Sequence, residues 1–176
     1  AGADPVDPVD PVDPGEPGEP APPAVELSIA QIQGTGSATP YAGQAVTTTG
    51  VVTAVYSTGG YNGYYLQTAG TGGAEDATPG ASDGVFVYSP DTAGSVALGQ
   101  TLTVTGTAGE HYGLTQISVP AGGVQVAGEA GTVAPRELAF PLTEEEKEAH
   151  EGELLAPSGE WTVTDNYDVN RYGSLG

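Results

Sequence analysis

Short runs of alternating apolar and polar residues, separated by glycine-rich turns, fill residues 25–140. The clearest run is TLTVTGT at 101–107, in which Leu102 and Val104 fall on one side and the threonines on the other. A period of two is typical of a strand that buries one face. This region is therefore predicted to be built from strands.

Five runs of strand length follow one another closely, and no helical stretch between them is long enough for the crossover of a parallel sheet. The longest run contains Gly50, where a strand can bulge or coil sharply. A sandwich needs seven or more strands, so a small closed antiparallel barrel is the better prediction. The expected strands are 46–56, 64–68, 85–88, 101–107 and 114–119.

The first 24 residues have a different composition. Residues 1–24 hold eight prolines and six acidic residues, and the triplet Asp-Pro-Val recurs from Asp4 to Val12. Proline fixes φ and removes an amide donor, and the segment has almost no apolar surface to bury. We expect a disordered, extended tether that acts as a spacer.

Residues 141–176 change character again. Thr143, followed three residues later by a glutamate, is a capping-box pattern. It predicts a short helix over 144–150, with His150 on the surface of the last turn. A strand is predicted at 160–164, and this region is expected to lead towards a further domain.

The charge balance limits the choice of partners. The chain of 176 residues has three Lys or Arg and 23 Asp or Glu, for a net charge of −20. At most three phosphates can be neutralised, so the log–log salt slope of nucleic-acid binding is expected to be no steeper than about −3. No apolar run approaches the length of a membrane span, and the acidic surface favours a monomer.

Several kinds of catalytic site are excluded. The chain has no cysteine, which removes disulfides, thiolate metal sites and a cysteine nucleophile. His111 and His150 lie in no catalytic motif, and no serine lies in a G-x-S-x-G pattern. We therefore predict no catalytic residue. The absence of methionine and the start Ala1-Gly2-Ala3 favour a processed bacterial exoprotein, secreted or held at the cell surface.

Two groups of oxygen-bearing side chains are candidate metal ligands. Glu75, Asp76 and Asp83 flank a glycine-rich loop, but Ser82-Asp83-Gly84 is itself a turn pattern. A second group resembles the opening of a calcium loop, yet an arginine stands where that loop needs glycine. No metal or other cofactor is predicted for this chain. The second group is Asn166, Asp168 and Asn170, followed by Arg171.

The order of these segments resembles the OB-fold-like domain of secreted bacterial DNA nucleases of the ExeM/NucH type. The resemblance extends into the stretch that joins that barrel to a catalytic domain, although 165–171 lacks the glycine that relatives tend to carry before the arginine. The matching segments are GVVTAVY (50–56), NGYYLQT (62–68), SDGVFVY (82–88), LGQTLTVTGT (98–107), HYGLTQI (111–117) and EGELLAPSGEWTVTDNYDVNRYG (151–173).

The resemblance implies an OB-like barrel without catalytic residues of its own. In that family a metal-dependent domain of the endonuclease/exonuclease/phosphatase type follows the barrel, and the parent enzyme would use Mg²⁺ or Ca²⁺. The implied function is an accessory module that positions nucleic acid or the catalytic domain, with weak single-stranded DNA binding. The alternatives are a structural spacer and a carbohydrate- or cell-surface-binding module.

OB barrels bind ligands on their second and third strands and on the loops between strands one and two and between four and five. Exposed aromatic rings at those places can stack on nucleic-acid bases. Because side chains alternate along a strand, only one of Tyr64 and Tyr65 can lie on that face. Likewise, only every second residue of 85–88 can lie there. The candidate ligand-binding residues are Tyr56, Tyr61, Tyr64, Tyr65, Phe86, Tyr88, His111, Tyr112 and Arg171.

Overall fold

The computed structural model describes residues 23–74, 78–160 and 162. The predicted tether, apart from its last two residues, lies outside these ranges. Two short α-helices accompany the strands, and neither has the length or apolar character needed to cross a membrane. The strands are β1 (Val25–Glu26), β2 (Ala45–Tyr56), β3 (Gly63–Gln67), β4 (Gly84–Tyr88), β5 (Thr101–His111), β6 (Leu114–Ser118), β7 (Val124–Val126), β8 (Arg136–Ala139) and β9 (Leu155–Ser158). The helices are α1 (Ile29–Gln33) and α2 (Glu144–Ala149).

Five strands close into a barrel in the order β2-β3-β4-β6-β5, and the pairing of β5 with β2 completes the ring. This confirms the predicted all-β, five-stranded OB-like barrel. One pairing differs from the antiparallel prediction, because β4 and β6 run parallel. The reason is geometric: in a closed ring with an odd number of strands, directions cannot alternate all the way round. At least one neighbouring pair must run parallel.

Strand β2 belongs to both halves of the barrel. Residues 45–51 pair with β5, and residues from Val51 onward pair with β3. At this change of partner a Cβ on Gly50 would lie 3.0–3.1 Å from Ile29, Gln67 and Leu66 atoms, so the close approach favours glycine. The bulge anticipated for this strand lies slightly later, between Val52 and Ala54.

The barrel interior is apolar, and helix α1 packs against it. Leu102 and Val104 are buried as the alternation predicted, and Ile29 and Ile32 of α1 join the same cluster. Each well-buried leucine or isoleucine contributes about 1.5–3 kcal/mol. The rest of the cluster comprises Val46, Val52, Tyr64, Leu66, Val85, Val87, Ala93, Ala108, Ile117 and Val119.

Helix α1 was not predicted, although its start carries a recognisable signal. Ser28 accepts a hydrogen bond from the backbone of Gln31, and the Gln31 side chain accepts one from the Ser28 backbone. This reciprocal pair is a capping box, and Ser-x-x-Gln is its sequence pattern. Five residues are too few to give a clear helical period, so the capping pattern is the sequence signal that indicates this helix.

The C-terminal helix agrees with the prediction, but His150 does not. Thr143 and Glu146 form the expected capping box of α2. His150 is only 9% exposed, whereas a surface position was predicted. The difference arises because the chain turns back onto the barrel after α2. Strand β9 then pairs in parallel with β8, and of the strand predicted at 160–164 only residues 160 and 162 are described, neither of them as strand.

Candidate ligand-binding face

Five aromatic side chains lie on the outer face of β2, β3 and β4 and on the loop that follows β2. The register explains their placement, because Tyr65 pairs with Phe86, while Tyr56 and Tyr88 both pair with Gly63. Residues that pair directly across strands point to the same side of a sheet. We call this surface the aromatic strip: Tyr56, Tyr61, Tyr65, Phe86 and Tyr88.

Four rings of the strip contact one another in sequence. The centroids of Tyr61 and Tyr56 are 5.6 Å apart, those of Tyr56 and Tyr65 are 6.1 Å apart, and those of Tyr65 and Phe86 are 5.0 Å apart. The interplanar angles of 51°, 80° and 61° give tilted and edge contacts. The strip is therefore a set of differently facing rings, so a ligand ring would stack on single tyrosines.

The members of the strip differ in how much surface they offer. Tyr61 is 66% exposed, Tyr56 44% and Tyr88 37%, whereas Phe86 is only 5% exposed. Phe86 packs over Gly63, where an added Cβ would lie 2.4 Å from its ring, and it supports Tyr65 from the side. Burial raises the pKa of the Tyr65 hydroxyl, with smaller contributions from nearby Tyr56, Glu151 and Tyr61, which keeps this phenol neutral.

Tyr64 does not lie on the candidate surface. It is fully buried inside the barrel, and burial raises the pKa of its hydroxyl. It shares the inward parity of Leu66 two residues later, so its neighbour Tyr65 takes the outer position. Between the two alternatives left open by the sequence, the structure places Tyr65 on the outer face of the barrel.

His111 and Tyr112 form a separate aromatic pair at the tip of the β5–β6 hairpin. Their ring centroids are 4.6 Å apart, and Tyr112 is 98% exposed. Because β6 runs parallel to β4, this tip lies towards the Gly84 end of the face, while Tyr88 lies at the other end. The predicted ligand residues thus fall into two groups.

The side chains considered as metal ligands are only partly described. Asp83 is buried, and its carboxylate accepts a hydrogen bond from the Thr78 hydroxyl at 2.9 Å, which fits the turn predicted there. Within the described ranges, no group of three or more His, Asp or Glu side chains is arranged to hold a metal ion. The remaining candidates lie outside those ranges: Glu75, Asp76, Asn166, Asp168, Asn170 and the ligand candidate Arg171.

A segment of the chain itself lies across the Gly84 end of the same face. We call His150–Leu154 the docking segment. The Ser82 hydroxyl donates to the carbonyl of Glu151 at 2.7 Å, and the Leu154 amide donates to the Gln67 side chain at 2.8 Å. These bonds join residues 69 and 87 positions apart in the chain. The segment is thus held at two neighbouring positions of the barrel, since Gln67 pairs with Gly84 beside Ser82.

Two carboxylates of the docking segment accept amide hydrogens from the barrel. Glu151 accepts from the Thr115 amide and Glu153 accepts from the Asp83 amide, each at 2.9 Å. The second oxygen of Glu153 lies 3.0 Å from His150 Nδ1, and both of these side chains are almost fully buried. These hydrogen bonds attach both carboxyl groups, and with them the docking segment, to the barrel.

Two glycines let the docking segment meet the barrel backbone. A Cβ on Gly84 would lie 2.4 Å from the carbonyl of Gly152, and a Cβ on Gly152 would lie 3.1 Å from the Tyr65 ring. Beside this contact a groove of ≈ 280 Å³ is lined by Tyr56 and Tyr65 on one side and by residues 152–155 on the other. The aromatic strip and the docking segment are therefore direct neighbours.

Sequence reasoning did not find the residues that hold the docking segment. Their partners are far away in the chain, and a single sequence has no local pattern that reports such pairings. The one available hint is the presence of polar side chains within or beside the buried strands. The residues missed are Gln33, Gln67, Ser82, Glu151 and Glu153.

The half-buried carboxyl of Glu151 predicts a pH-dependent stability. Burial raises its pKa, which the amide of Thr115 only partly offsets. Because the pKa of Glu151 is higher in the folded state than in the unfolded state, its protonated form favours folding. This contribution to stability is complete below the unfolded-state pKa and is lost as the pH rises through the folded-state pKa. Glu151→Gln is expected to unfold at higher urea than the wild type at about pH 7.5 and at the same urea at about pH 4.

The matched control for this prediction is Glu137→Gln, which removes the same charge from an exposed position. It is expected to change the urea midpoint by less than Glu151→Gln at the higher pH. Equal midpoints for Glu151→Gln and the wild type at both pH values would contradict the cost assigned to the buried carboxylate.

Comparison with known proteins supports no functional assignment. No family model matches the sequence, and no curated protein matches it. Among solved structures, one similar chain is an OBody bound to hen egg-white lysozyme, with 16% sequence identity and a TM-score of 0.41. The match covers 64% of this chain and all of that one. A similarity this low leaves the described geometry as the basis for function.

Proposed function

We propose that this chain is a non-catalytic OB-barrel module of a secreted bacterial nuclease. In this role the aromatic strip holds single-stranded DNA beside a C-terminal catalytic domain of the same polypeptide. The observation that carries the proposal is the strip itself, with three exposed tyrosines on the strands and the loop where OB barrels take oligonucleotides. The sequence resemblance to nuclease modules supports the same role.

The charge of the molecule favours stacking as the mode of binding. The described cations are Arg136 and Lys147, and neither belongs to the strip. Lys147 is also engaged by Glu144 at 2.6 Å. With so little positive charge, phosphate contacts contribute little, while each base stacked on a ring contributes about 1–3 kcal/mol. Affinity is therefore expected to be weak, with a log–log salt slope no steeper than about −3.

The docking segment supports the positioning part of the proposal. It ties the chain that follows α2 to the barrel at Gln67, Ser82 and Thr115. The chain then continues through β9, which pairs with β8. A domain that follows would be joined to a chain that is attached to the barrel beside the aromatic strip. Hydrolysis, and the Mg²⁺ or Ca²⁺ it needs, are assigned to that domain.

A carbohydrate-binding role is the second candidate. OB barrels also take oligosaccharides on aromatic surfaces, and an uncharged glycan is not repelled by a chain of net charge −20. A purely structural spacer has no need of exposed rings, and the exposure of Tyr61 favours ligand binding over that role. The choice between the two ligands is open to direct comparison.

The test is an anisotropy titration of labelled oligo(dT), with a neutral oligosaccharide series measured in parallel. We expect oligo(dT) to bind with a Kd weaker than about 10 µM at physiological salt and a log–log salt slope between zero and about −3. Submicromolar affinity without divalent metal would contradict the stacking mode. Saturable binding of a glycan, with none of oligo(dT), would favour the second candidate.

A further inference from the structure

The barrel surface beneath the docking segment has the features of a built binding groove. Gln33, Gln67 and Ser82 are each more than nine-tenths buried, and each makes a hydrogen bond to the segment. Buried polar side chains are costly unless they are paired. If the segment left, Gln67 and Ser82 would each lose a short hydrogen bond to its backbone, so the groove is matched to an occupant that supplies an amide and a carbonyl in the same places.

The occupant is recognised through an acid-glycine-acid pattern. Glu151 accepts a hydrogen bond from the Thr115 amide, and Glu153 accepts one from the Asp83 amide. Gly152, which lies between them, is in contact with the backbone of Gly84. Gly152 has φ +75°, a conformation that side-chain-bearing residues rarely adopt. The contact therefore selects two carboxylates separated by a single glycine.

We infer that this groove is a peptide-binding site for an acidic Glu-Gly-Glu segment, filled by the chain's own docking segment and able to accept the same segment from a second copy. The groove contacts mainly main-chain groups and carboxylates, which any peptide of this sequence carries. The inference does not depend on DNA binding.

The charges around the groove set the conditions for binding in trans. Glu110 and Glu148 add to the field at Glu151, and the whole chain is strongly acidic. A free acidic peptide therefore meets repulsion before it docks, and screening by salt reduces that repulsion. Binding of the peptide in trans is therefore expected to strengthen between low and physiological salt.

The experiment uses the full chain carrying Gly152→Val and a fluorescein-labelled peptide of residues 148–156. Valine at this φ, against the Tyr65 ring, releases the chain's own segment, which amide exchange at Thr115 and Asp83 reports directly. The peptide is expected to bind this variant at least about tenfold more tightly than the wild type, whose groove is occupied. A peptide with valine in place of the glycine is expected not to bind.

A second variant serves as a control in case the first variant misfolds. The double change Glu151→Lys and Glu153→Lys alters only the docking segment and leaves the barrel sequence unchanged. If the peptide binds neither released variant while the barrel stays folded, or binds the wild type equally well, the inference is overturned. It is also overturned if the Thr115 and Asp83 amides remain protected in both variants.

Discussion

Tyr56→Ala is expected to weaken the binding of oligo(dT) by about five- to 150-fold, which corresponds to the loss of one stacked base. Tyr56 is the ring with the greatest influence on the strip, because it contacts both Tyr61 and Tyr65 while almost half of it is exposed. Its removal deletes one stacking surface and takes from Tyr61 its ring neighbour in the strip, while Tyr65 keeps its contact with Phe86. Because baseline affinity is weak, NMR titration at high protein concentration is the suitable measurement.

The matched control is Tyr112→Ala, which removes an equally large and even more exposed ring from the far end of the face. This variant is expected to change oligo(dT) affinity by less than about twofold if stacking is confined to the strip. Unchanged circular dichroism and thermal unfolding of both variants establish that the barrel is intact. Equal losses for the two variants would place the ligand elsewhere or over the whole surface.

Leu66→Ala is expected to lower the free energy of unfolding by about 2–5 kcal/mol. Leu66 is a fully buried residue of β3, pairs with Val52 and Val85 on either side, and lies against the close approach at Gly50. Neighbouring strands cannot move inward without losing their pairing, so the cavity is expected to remain largely open. Urea unfolding followed by circular dichroism measures the change.

Leu98→Ala is the control for this prediction, since it makes the same chemical change at a position that is 68% exposed. Its effect is expected to stay within about 0.5 kcal/mol. A loss of similar size at both positions would mean that the barrel interior contributes no more than its surface. That outcome would contradict the packing described for the core.

The barrel was predictable because its signals are local. Alternation in 101–107, turn residues between the runs, and the lack of long helical stretches each act over a few residues. The parallel β4–β6 pair and the short strands β1 and β7 were not predicted, because they depend on ring closure and on edges offered by other strands. These features arise from tertiary contacts that no short window of sequence contains.

The candidate site was predictable to a similar depth. Four strip residues lie on strands and Tyr61 lies in a loop, and the place of each in the barrel follows from strand order; the parity of the strand residues follows from core neighbours such as Leu66. The sequence pattern listed Tyr64 as well, because two adjacent tyrosines look alike until one face is known to be buried. The docking segment was missed because Glu151 and Glu153 are ordinary acids until their distant amide partners are known.

The central claim is that the aromatic strip is the ligand-binding face of this barrel. The most direct measurement is amide chemical-shift mapping of the full chain during titration with oligo(dT). We predict that the largest shifts cluster at Tyr56, Tyr61, Tyr65 and Tyr88, with little change at Thr47 and Thr49 on the opposite β2–β5 surface. Shifts concentrated on that threonine surface, or none at millimolar oligonucleotide, would contradict the claim.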